Sequence, residues 1–274
     1  MRSGSRSLSF CLFSGAEALL VRDTDLVTEI CPSPNHGERR GCERPDHLIL
    51  HYTGMKTGAE ALARLCDPQA EVSCHYFIWE NGSIVQMVPE NRRAWHAGQS
   101  SWAGGSDLNS RSIGIEIVNS GHDWLGEGGQ LPDFPAEQIA SVIRLCADLL
   151  LRHPILPRAV LAHSDIAPGR KSDPGEKFPW EALAKAGIGH WVAPAPLSAG
   201  VSYGLGDEGP PIRAVQALLS VYGYDLTMTG VFDAATERVV RAFQRHFRPA
   251  LVDGRADFST LQTLRNLVAA LPSV

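Results

Sequence analysis

Three strand-like segments of the chain carry, at or near their ends, a residue that can bind a metal ion or move a proton. His51 is the penultimate residue of HLILHY, Glu116 lies near the end of SIGIEIV, and His163 closes RAVLAH. A loop rich in proline and glycine then leads from His163 to Asp173, ten positions later. Two neutral imidazoles and one carboxylate form a ligand set that leaves zinc an open fourth position for water, as catalytic zinc sites require. Isolated histidines and aspartates are more often surface or hydrogen-bonded core groups, so this pattern alone is weak evidence.

Four sequence motifs surround these residues. They are HYTG (51–54), AWHAG (94–98), SIGIEIVN (112–119) and HSDIAPGRKSDPG (163–175). In this order they resemble the motifs of the zinc-dependent N-acetylmuramoyl-L-alanine amidases of the type 2 amidase family, to which the peptidoglycan-recognition proteins are related. The resemblance extends over residues 28–185, and agreement of several motifs in one order is not expected by chance.

The resemblance implies a role for each chemical group in these motifs. His51, His163 and Asp173 are implied to bind one Zn²⁺ per chain, and Glu116 occupies the position of the general base, which takes a proton from water and can return it to the departing amine. Lys171 occupies a basic position whose charge would stabilise the developing oxyanion. An ion pair with Asp173 or a neighbouring acid is the alternative role for Lys171. Since all five positions match, the resemblance implies an enzyme rather than a binding-only homologue.

Five further residues are candidates for substrate contact. The flat rings of Trp95 and His96 can stack on sugar or peptide faces, and Tyr52 follows the first ligand. Packing within the protein is the alternative for each of these three side chains. Asn109 and Arg111 precede the SIGIEIV strand and are candidates for contact with peptide carboxylates, although an arginine in a loop is usually only solvated.

The segments that carry these motifs alternate between strand and helix patterns. HLILHY (47–52), SIGIEIV (112–118) and RAVLAH (158–163) read as strands, and residues 74–89 read as a hairpin that turns at Asn81-Gly82. Apolar residues recur at three- and four-residue steps through 136–152, which predicts an amphipathic helix. We therefore predict an α/β (α+β) fold, with a mixed central sheet flanked by helices.

The chain divides at a segment rich in glycine, proline and alanine. We predict an N-terminal tail at 1–27, a catalytic domain at 28–187, a linker at 188–206 and a small three-helix all-α domain at 207–272. The last segment, IRAVQALLSVYGY…TGVFDAATERVVRAFQ, resembles the peptidoglycan-binding domain often attached to wall hydrolases. A glycan groove there would be lined by Tyr222, Tyr224 and Phe232, but core packing is the stronger expectation for at least one of them.

Composition excludes several classes of protein. The 274 residues carry a net charge of −5 and no basic stripe, which argues against nucleic-acid binding. No apolar run is long enough to predict a membrane-spanning helix. Six scattered cysteines include no CxxC pair, and pairing of Cys31 with Cys42 or of Cys66 with Cys74 stays open.

The N-terminus only loosely imitates an export signal, so localisation stays open between the cell envelope, favoured by the binding domain, and the cytoplasm. Oligomeric state is also open.

The leading functional hypothesis is a zinc hydrolase that cleaves the amide between the lactyl group of N-acetylmuramic acid and L-alanine, in peptidoglycan or its fragments. A cytoplasmic amidase that acts on anhydro-muropeptides during wall recycling is a second hypothesis. A recognition protein that binds peptidoglycan without cutting it is a third, and a peptidase of the stem peptide is a weaker fourth.

Overall fold

The structure is a computed structural model that describes residues 21–272, so most of the predicted N-terminal tail lies outside the described residues. Twelve strands occur within this range. They are β1 (Glu29–Ile30), β2 (His36–Glu38), β3 (His47–Tyr52), β4 (Tyr76–Ile78), β5 (Ile84–Gln86), β6 (Arg92–Ala94), β7 (Ser101–Trp102), β8 (Gly105–Ser106), β9 (Ser112–Ile117), β10 (Val160–Ala162), β11 (Ser202–Tyr203) and β12 (Ala256–Asp257).

Eight α-helices accompany the strands in the described part of the chain. They are α1 (Gly58–Cys66), α2 (Leu108–Arg111), α3 (Ala136–Arg152), α4 (His163–Ile166), α5 (Trp180–Lys185), α6 (Pro210–Tyr222), α7 (Ala234–Phe247) and α8 (Phe258–Ala269). The long amphipathic helix at 136–152 and the three C-terminal helices are confirmed as predicted. Asp233 and Asp257 cap α7 and α8, because each carboxylate accepts a hydrogen bond from a backbone N–H in the first turn.

The central sheet has six strands in the order β1-β5-β4-β9-β3-β10. The strands β4, β9, β3 and β10 run parallel to one another, whereas β5 is antiparallel to β4 and forms the predicted hairpin with it. Gly82 takes a positive φ of 79° in the hairpin turn, a conformation that glycine adopts readily. The predicted mixed α/β architecture is therefore confirmed.

The two faces of the sheet are covered by different elements. Leu48 and Leu50 of β3 pack with the isoleucines of β9 beneath α3 and α5, whereas Ile49 points to the opposite face. Since side chains alternate along a strand, His51 lies on the same face as Ile49, and Glu116 of β9 also lies opposite the α3 core. This second face is the one that carries the chemical groups.

The C-terminal helices share one apolar core with the catalytic domain. Ile49, Trp102 and Leu161 belong to the same buried cluster as residues of α6, α7 and α8. The Trp102 ring lies 4.9 Å from the ring of Tyr224, measured between centroids, and the Ala103 N–H donates to the Gly223 carbonyl at 2.8 Å. The bundle therefore packs directly on the catalytic domain.

Residues 188–206 do not behave as a free linker. Ile188 is buried in the core beneath α3, and Trp191 and Val192 pack at its edge. Farther along, the Ala195 N–H donates to Thr263 Oγ1 at 2.9 Å, and β11 pairs with β12. Its glycine- and proline-rich composition suggested a linker, but its few apolar side chains anchor it on both domains.

The catalytic domain begins earlier than the predicted boundary at residue 28. Val27 is only 1% exposed and belongs to the main core. Asp23 Oδ2 accepts hydrogen bonds from the Glu90 N–H and from Gln86 Nε2, both at 2.8 Å. Residues 21–27 are thus part of the sheet domain rather than of the tail. None of the helices within residues 21–272 has the combination of length and apolar character that a membrane crossing requires.

Candidate metal and catalytic site

Strand register brings the chemical groups to one edge of the sheet. In the parallel pair β3 and β9, His51 lies opposite Glu116, and in the pair β10 and β3, Ala162 lies opposite Leu50. His163, the next residue after β10, is therefore a neighbour of His51. The carboxyl ends of parallel strands meet at one edge, which is where α/β proteins commonly place their sites.

Asp173 reaches the same point from the loop that follows α4. Its backbone carbonyl accepts a hydrogen bond from the Ser164 N–H at 3.0 Å, which folds the loop back against His163. Asp173 Oδ2 lies 3.0 Å from His51 Nδ1 and 3.0 Å from His163 Nδ1, and the two Nδ1 atoms are 2.9 Å apart. All three side chains are buried. The structure therefore brings together the predicted ligand set.

Hydrogen bonds on the far side of the rings determine where the imidazole protons lie. His163 Nε2 donates to the Ala97 carbonyl at 3.2 Å, so His163 Nδ1 keeps its lone pair. His51 Nε2 donates to His96 Nδ1 at 3.0 Å, and His96 Nε2 donates to Ser112 Oγ at 3.1 Å. The Ser112 hydroxyl in turn donates to the Leu108 carbonyl. The relay therefore leaves His51 Nδ1 unprotonated.

Three electron-rich atoms thus converge on one point with no proton between them. Burial and the neighbouring His163 lower the pKa of His51 to about 4, so its imidazole is neutral at physiological pH. In a tetrahedral zinc site the ligand atoms are about 3.3 Å apart, close to the separations here. The donor set therefore fits a single divalent cation.

Glu116 is a partly buried acid beside this ligand set. Burial raises its pKa well above the usual value, and the Asp173 charge raises it further, while Lys171 acts in the opposite direction. Within residues 21–272, no hydrogen-bond donor reaches Glu116 Oε2, which is fully buried. A carboxyl group with a raised pKa and an unused buried oxygen is suited to accept and return a proton.

These groups lie at the base of a cleft of about 380 Å³. Tyr52, Trp95 and Lys171 line this cleft, as does the edge of the His96 ring. The carboxylate of Asp173 contacts His51 and His163 rather than Lys171. Lys171 lines the cleft and forms no ion pair with an acid among residues 21–272, so its proposed role towards the substrate stays a prediction.

His96 is primarily a support for the first ligand. Its ring is 8% exposed and packs on Gly114 of β9, where a Cβ atom would lie 2.4 Å from His96 Cγ. Only glycine at this position lets the ring approach the sheet closely enough to accept from His51 Nε2. A partner of this kind orients a metal-binding histidine and sets its tautomer.

Asn109 and Arg111 lie away from the cleft, which corrects the expectation that they contact substrate. Asn109 is buried, and its Oδ1 accepts from the backbone N–H groups of His96 and Ala97 at 2.9 and 2.7 Å. It therefore positions the AWHAG segment. Arg111 forms a two-point ion pair with Asp46 at the opposite end of β9. In both cases local chain order suggested proximity to Glu116, but the strand length separates them.

Several residues that line the cleft were not predicted, among them three with basic side chains. Arg64 on α1, His122 and Arg170 all line the cleft. His122 Nδ1 is 2.9 Å from the Tyr52 hydroxyl, and its Nε2 contacts Glu176. Arg170 Nη2 donates to the carbonyls of the AWHAG segment and its neighbour Gln99. Arg170 belongs to the RKSDPG loop and so had a motif signal, whereas Arg64 and His122 had none.

The aromatic residues proposed for a glycan groove are in the bundle core. Tyr222, Tyr224 and Phe232 are each 1% exposed, so core packing is the correct alternative for all three. An apolar groove of about 330 Å³ exists elsewhere on the bundle, between α6 and α8, and includes Tyr203 and Phe258.

Comparison with known proteins identifies the family. A model described as N-acetylmuramoyl-L-alanine amidase matches residues 41–176, and a peptidoglycan binding domain model matches residues 208–264. The N-acetylmuramoyl-L-alanine amidase AmiD of Escherichia coli (strain K12) is 42% identical over 226 residues, which cover 78% of each chain. The chain belongs to the N-acetylmuramoyl-L-alanine amidase family. The predicted family, fold class and enzyme class, an amide hydrolase of peptidoglycan chemistry, are thereby confirmed.

Solved structures of two relatives contain muropeptides. A complex of Escherichia coli AmiD with anhydro-N-acetylmuramic acid-L-Ala-D-γ-Glu-L-Lys covers 86% of the present chain and 97% of that chain, with a TM-score of 0.71 and 36% identity. AmpDh3 of Pseudomonas aeruginosa in complex with anhydromuramic pentapeptide covers 93% and 100%, with a TM-score of 0.68 and 32% identity. The 1,6-anhydro-N-acetylmuramyl-L-alanine amidase AmpD of Escherichia coli (strain K12) is 37% identical over 166 residues, 54% of this chain and 86% of AmpD.

Proposed function

We propose that this amidase uses one zinc ion, held by His51, His163 and Asp173, to hydrolyse the bond between the lactyl group of N-acetylmuramic acid and L-alanine. The observation that carries the proposal is the convergence of three unprotonated donor atoms beside a carboxyl group with one buried, unpartnered oxygen. Without a cation, these atoms would repel one another in a buried site, which is costly. Bound zinc supplies a Lewis acid and a water whose pKa falls towards about 7.

The protein groups around the cleft divide the remaining work of amide cleavage. Glu116 takes a proton from the attacking water, and its raised pKa lets it hold that proton until the amine departs. The proton then passes to the amine nitrogen, so that the leaving group departs neutral. Lys171 faces the cleft and provides positive charge where the carbonyl oxygen becomes negative. Trp95 and Tyr52 form walls against which a sugar or peptide can pack.

The assignment of the base is tested by Glu116→Gln. Zinc content should stay stoichiometric while turnover of a muropeptide falls by about 10²- to 10⁴-fold, the usual contribution of a general base. Glu60→Gln is the matched control, because Glu60 is an exposed acid on α1 that does not line the cleft. A Glu116→Gln enzyme that retains zinc and turns over within a few-fold of wild type would refute this assignment.

The assignment of the ligands is tested by metal content. His163→Ala should lose stoichiometric zinc after dialysis against a weak chelator, because two donors remain where three are needed. The same dialysis should leave zinc in Glu116→Gln. Retention of one zinc per chain in His163→Ala would remove that residue from the ligand set.

We further propose that anhydro-muropeptides are substrates as well as polymeric peptidoglycan. Support comes from the complexes of AmiD and AmpDh3 with anhydromuramic peptides and from the match to a peptidoglycan binding domain. The binding domain favours a place in the cell envelope, and fractionation of native cells tests this. Digestion of intact sacculi and of purified anhydro-muropeptide should both release peptides with N-terminal L-alanine. Cleavage of the soluble fragment alone would restrict the enzyme to recycling.

The alternative hypotheses make different predictions in the same digest. A protein that only binds peptidoglycan would release no new N-terminal alanine with zinc present or removed. A stem-peptide peptidase would give fragments whose masses show that the bond between the lactyl group and L-alanine is intact. An amidase should give the expected masses with zinc, and lose them with a chelator.

A further inference from the structure

Two cysteines that are remote in sequence have their thiols in contact. Cys31 follows β1, and Cys66 is the last residue of α1. Their Sγ atoms lie 3.5 Å apart, on two partly buried side chains. Neither of the pairings considered from the sequence joins these two residues. The contact is a consequence of how α1 packs against the edge of the sheet.

The backbone on both sides of this contact is held in place by other hydrogen bonds. The Cys31 N–H donates to the Gln86 carbonyl at 3.0 Å, which continues the pairing of β1 with β5. Ser33 Oγ donates to the Leu65 carbonyl at 2.5 Å, and Asn35 Nδ2 donates to the Asp67 carbonyl at 2.8 Å. The segment that follows Cys31 is thus joined to the residues on either side of Cys66. The sulfur atoms are 3.5 Å apart and would have to approach to about 2.05 Å to form a disulfide.

The chemistry of this pair differs from that of the other described cysteines. The contact with the Cys66 thiol lowers the pKa of Cys31 to about 7, although burial opposes the shift. Thiolate is the form that attacks disulfides, so this shift favours Cys31 as the attacking thiol. Cys74 and Cys146 are fully buried, and burial raises the pKa of each thiol, for Cys146 to about 12. Cys42 is partly exposed, and its thiol donates to the Arg44 carbonyl.

We propose that Cys31 and Cys66 are a site of oxidation that closes to an intramolecular disulfide by exchange with a small-molecule disulfide. The Cys31 thiolate attacks one sulfur of the small disulfide, whose S–S bond breaks and releases one thiolate that takes up a proton. The Cys66 thiolate then attacks the Cys31 sulfur and releases the second small thiol. In the net reaction the protein loses two hydrogen atoms, and the small disulfide is reduced to two thiols.

The bond would act on a wall of the active-site cleft. Ala61, Arg64 and Leu65 of α1 line the cleft, and Cys66 ends that helix. A covalent link from Cys66 to Cys31 ties the carboxyl end of α1 to the edge of the sheet. We therefore expect slower amide hydrogen exchange in α1 in the oxidised protein than in the reduced protein. This expectation does not depend on zinc or on the residues assigned to catalysis.

The test uses the full chain with oxidised glutathione as the probe. After incubation near pH 8 and blocking of remaining thiols, a non-reducing peptide map by mass spectrometry should contain one peptide pair linked through Cys31 and Cys66. In Cys66→Ser, the second step is blocked, so Cys31 should accumulate as the mixed disulfide with glutathione. Cys42→Ser is the matched control and should still form the link.

Two outcomes would overturn the proposal. In one, wild-type Cys31 keeps a stable glutathione adduct while Cys66 stays reduced. In the other, Cys31 is linked to a different cysteine. The wild-type peptide map decides between these outcomes and the expected link, so the result does not depend on the folding of any variant. The hydrogen-exchange comparison adds a second readout, in which equal exchange of α1 in both forms would refute the tethering of the cleft wall.

Discussion

The C-terminal bundle should help to hold the turn that carries the ligand His163, and Tyr224→Phe tests this. The Tyr224 hydroxyl donates to Asp165 Oδ1 at 2.7 Å. The other oxygen of Asp165 accepts from His246 Nδ1 at 2.6 Å and from the Ala162 N–H at 2.8 Å. Because Asp165 lies in α4, two residues after His163, this buried network joins two helices of different domains at the metal site.

The size of the effect follows from the chemistry of the deleted bond. A hydrogen bond to a charged group contributes about 1.5–3 kcal/mol, and here the Asp165 carboxylate oxygen would be left buried without that donor. The phenyl ring can keep its contact with Trp102, so little of the loss should come from packing. We therefore expect the free energy of unfolding to fall by about 2 kcal/mol. Since partners behind a metal ligand typically contribute 10- to 100-fold in affinity, and this one acts through the α4 backbone, zinc affinity should fall by about 10-fold.

The assay pairs urea unfolding of the metal-free protein with competition for zinc against a chromogenic chelator. Tyr222→Phe is the matched control, because Tyr222 is equally buried in the bundle but its hydroxyl contacts His190 at 3.1 Å. It should lose about 1 kcal/mol of stability and no zinc affinity. If Tyr224→Phe loses less than about 0.5 kcal/mol, or if both variants bind zinc as wild type does, then the bundle does not support the site.

Three further predictions concern acid stability, the support of the metal site and the cleft. Burial would raise the pKa of Glu90, but hydrogen bonds from neighbouring side chains hold it at about 2, against an ordinary 4.5. Its contribution of about 3 kcal/mol to the free energy of unfolding is therefore complete above pH 4.5 and lost as the pH falls to 2. The free energy of unfolding of the metal-free protein should therefore fall less steeply with decreasing pH in Glu90→Gln than in wild type. Equal slopes in the two proteins would contradict this shift. Gly114→Ala should displace the His96 ring and weaken zinc binding by about 10-fold in metal competition, and unchanged affinity would show that the ring can relax elsewhere. Arg64→Ala should raise KM for muropeptides in steady-state kinetics, because Arg64 lines the cleft. Arg111→Ala, outside the cleft, should leave KM within about two-fold of wild type, about the noise of such comparisons. A larger rise of KM in Arg111→Ala than in Arg64→Ala would restore Arg111 as a substrate contact.

Much of the site was accessible from the sequence because it lies at strand ends and in one ordered set of motifs. The resemblance to a family identifies His51, His163 and Asp173 from the sequence alone, and the structure brings their donor atoms together. Proximity in the sequence gave a wrong expectation of proximity in space where a strand separates two residues. Arg111 lies five residues before Glu116, but that distance places it at the opposite end of β9.

The sequence by itself determined the local elements of this protein and the identity of its chemical groups. Apolar periodicity and turn-forming residues are properties of neighbouring positions, so they located the helix at 136–152, the hairpin and the three C-terminal helices. Only the tertiary structure decided which distant surfaces meet. The packing of the bundle on the catalytic domain, the contact of Cys31 with Cys66 and the support of His51 by His96 depend on strand order and on close approach between nonadjacent segments. Such contacts leave no periodic trace, because each one joins a single pair of positions whose separation along the chain is arbitrary.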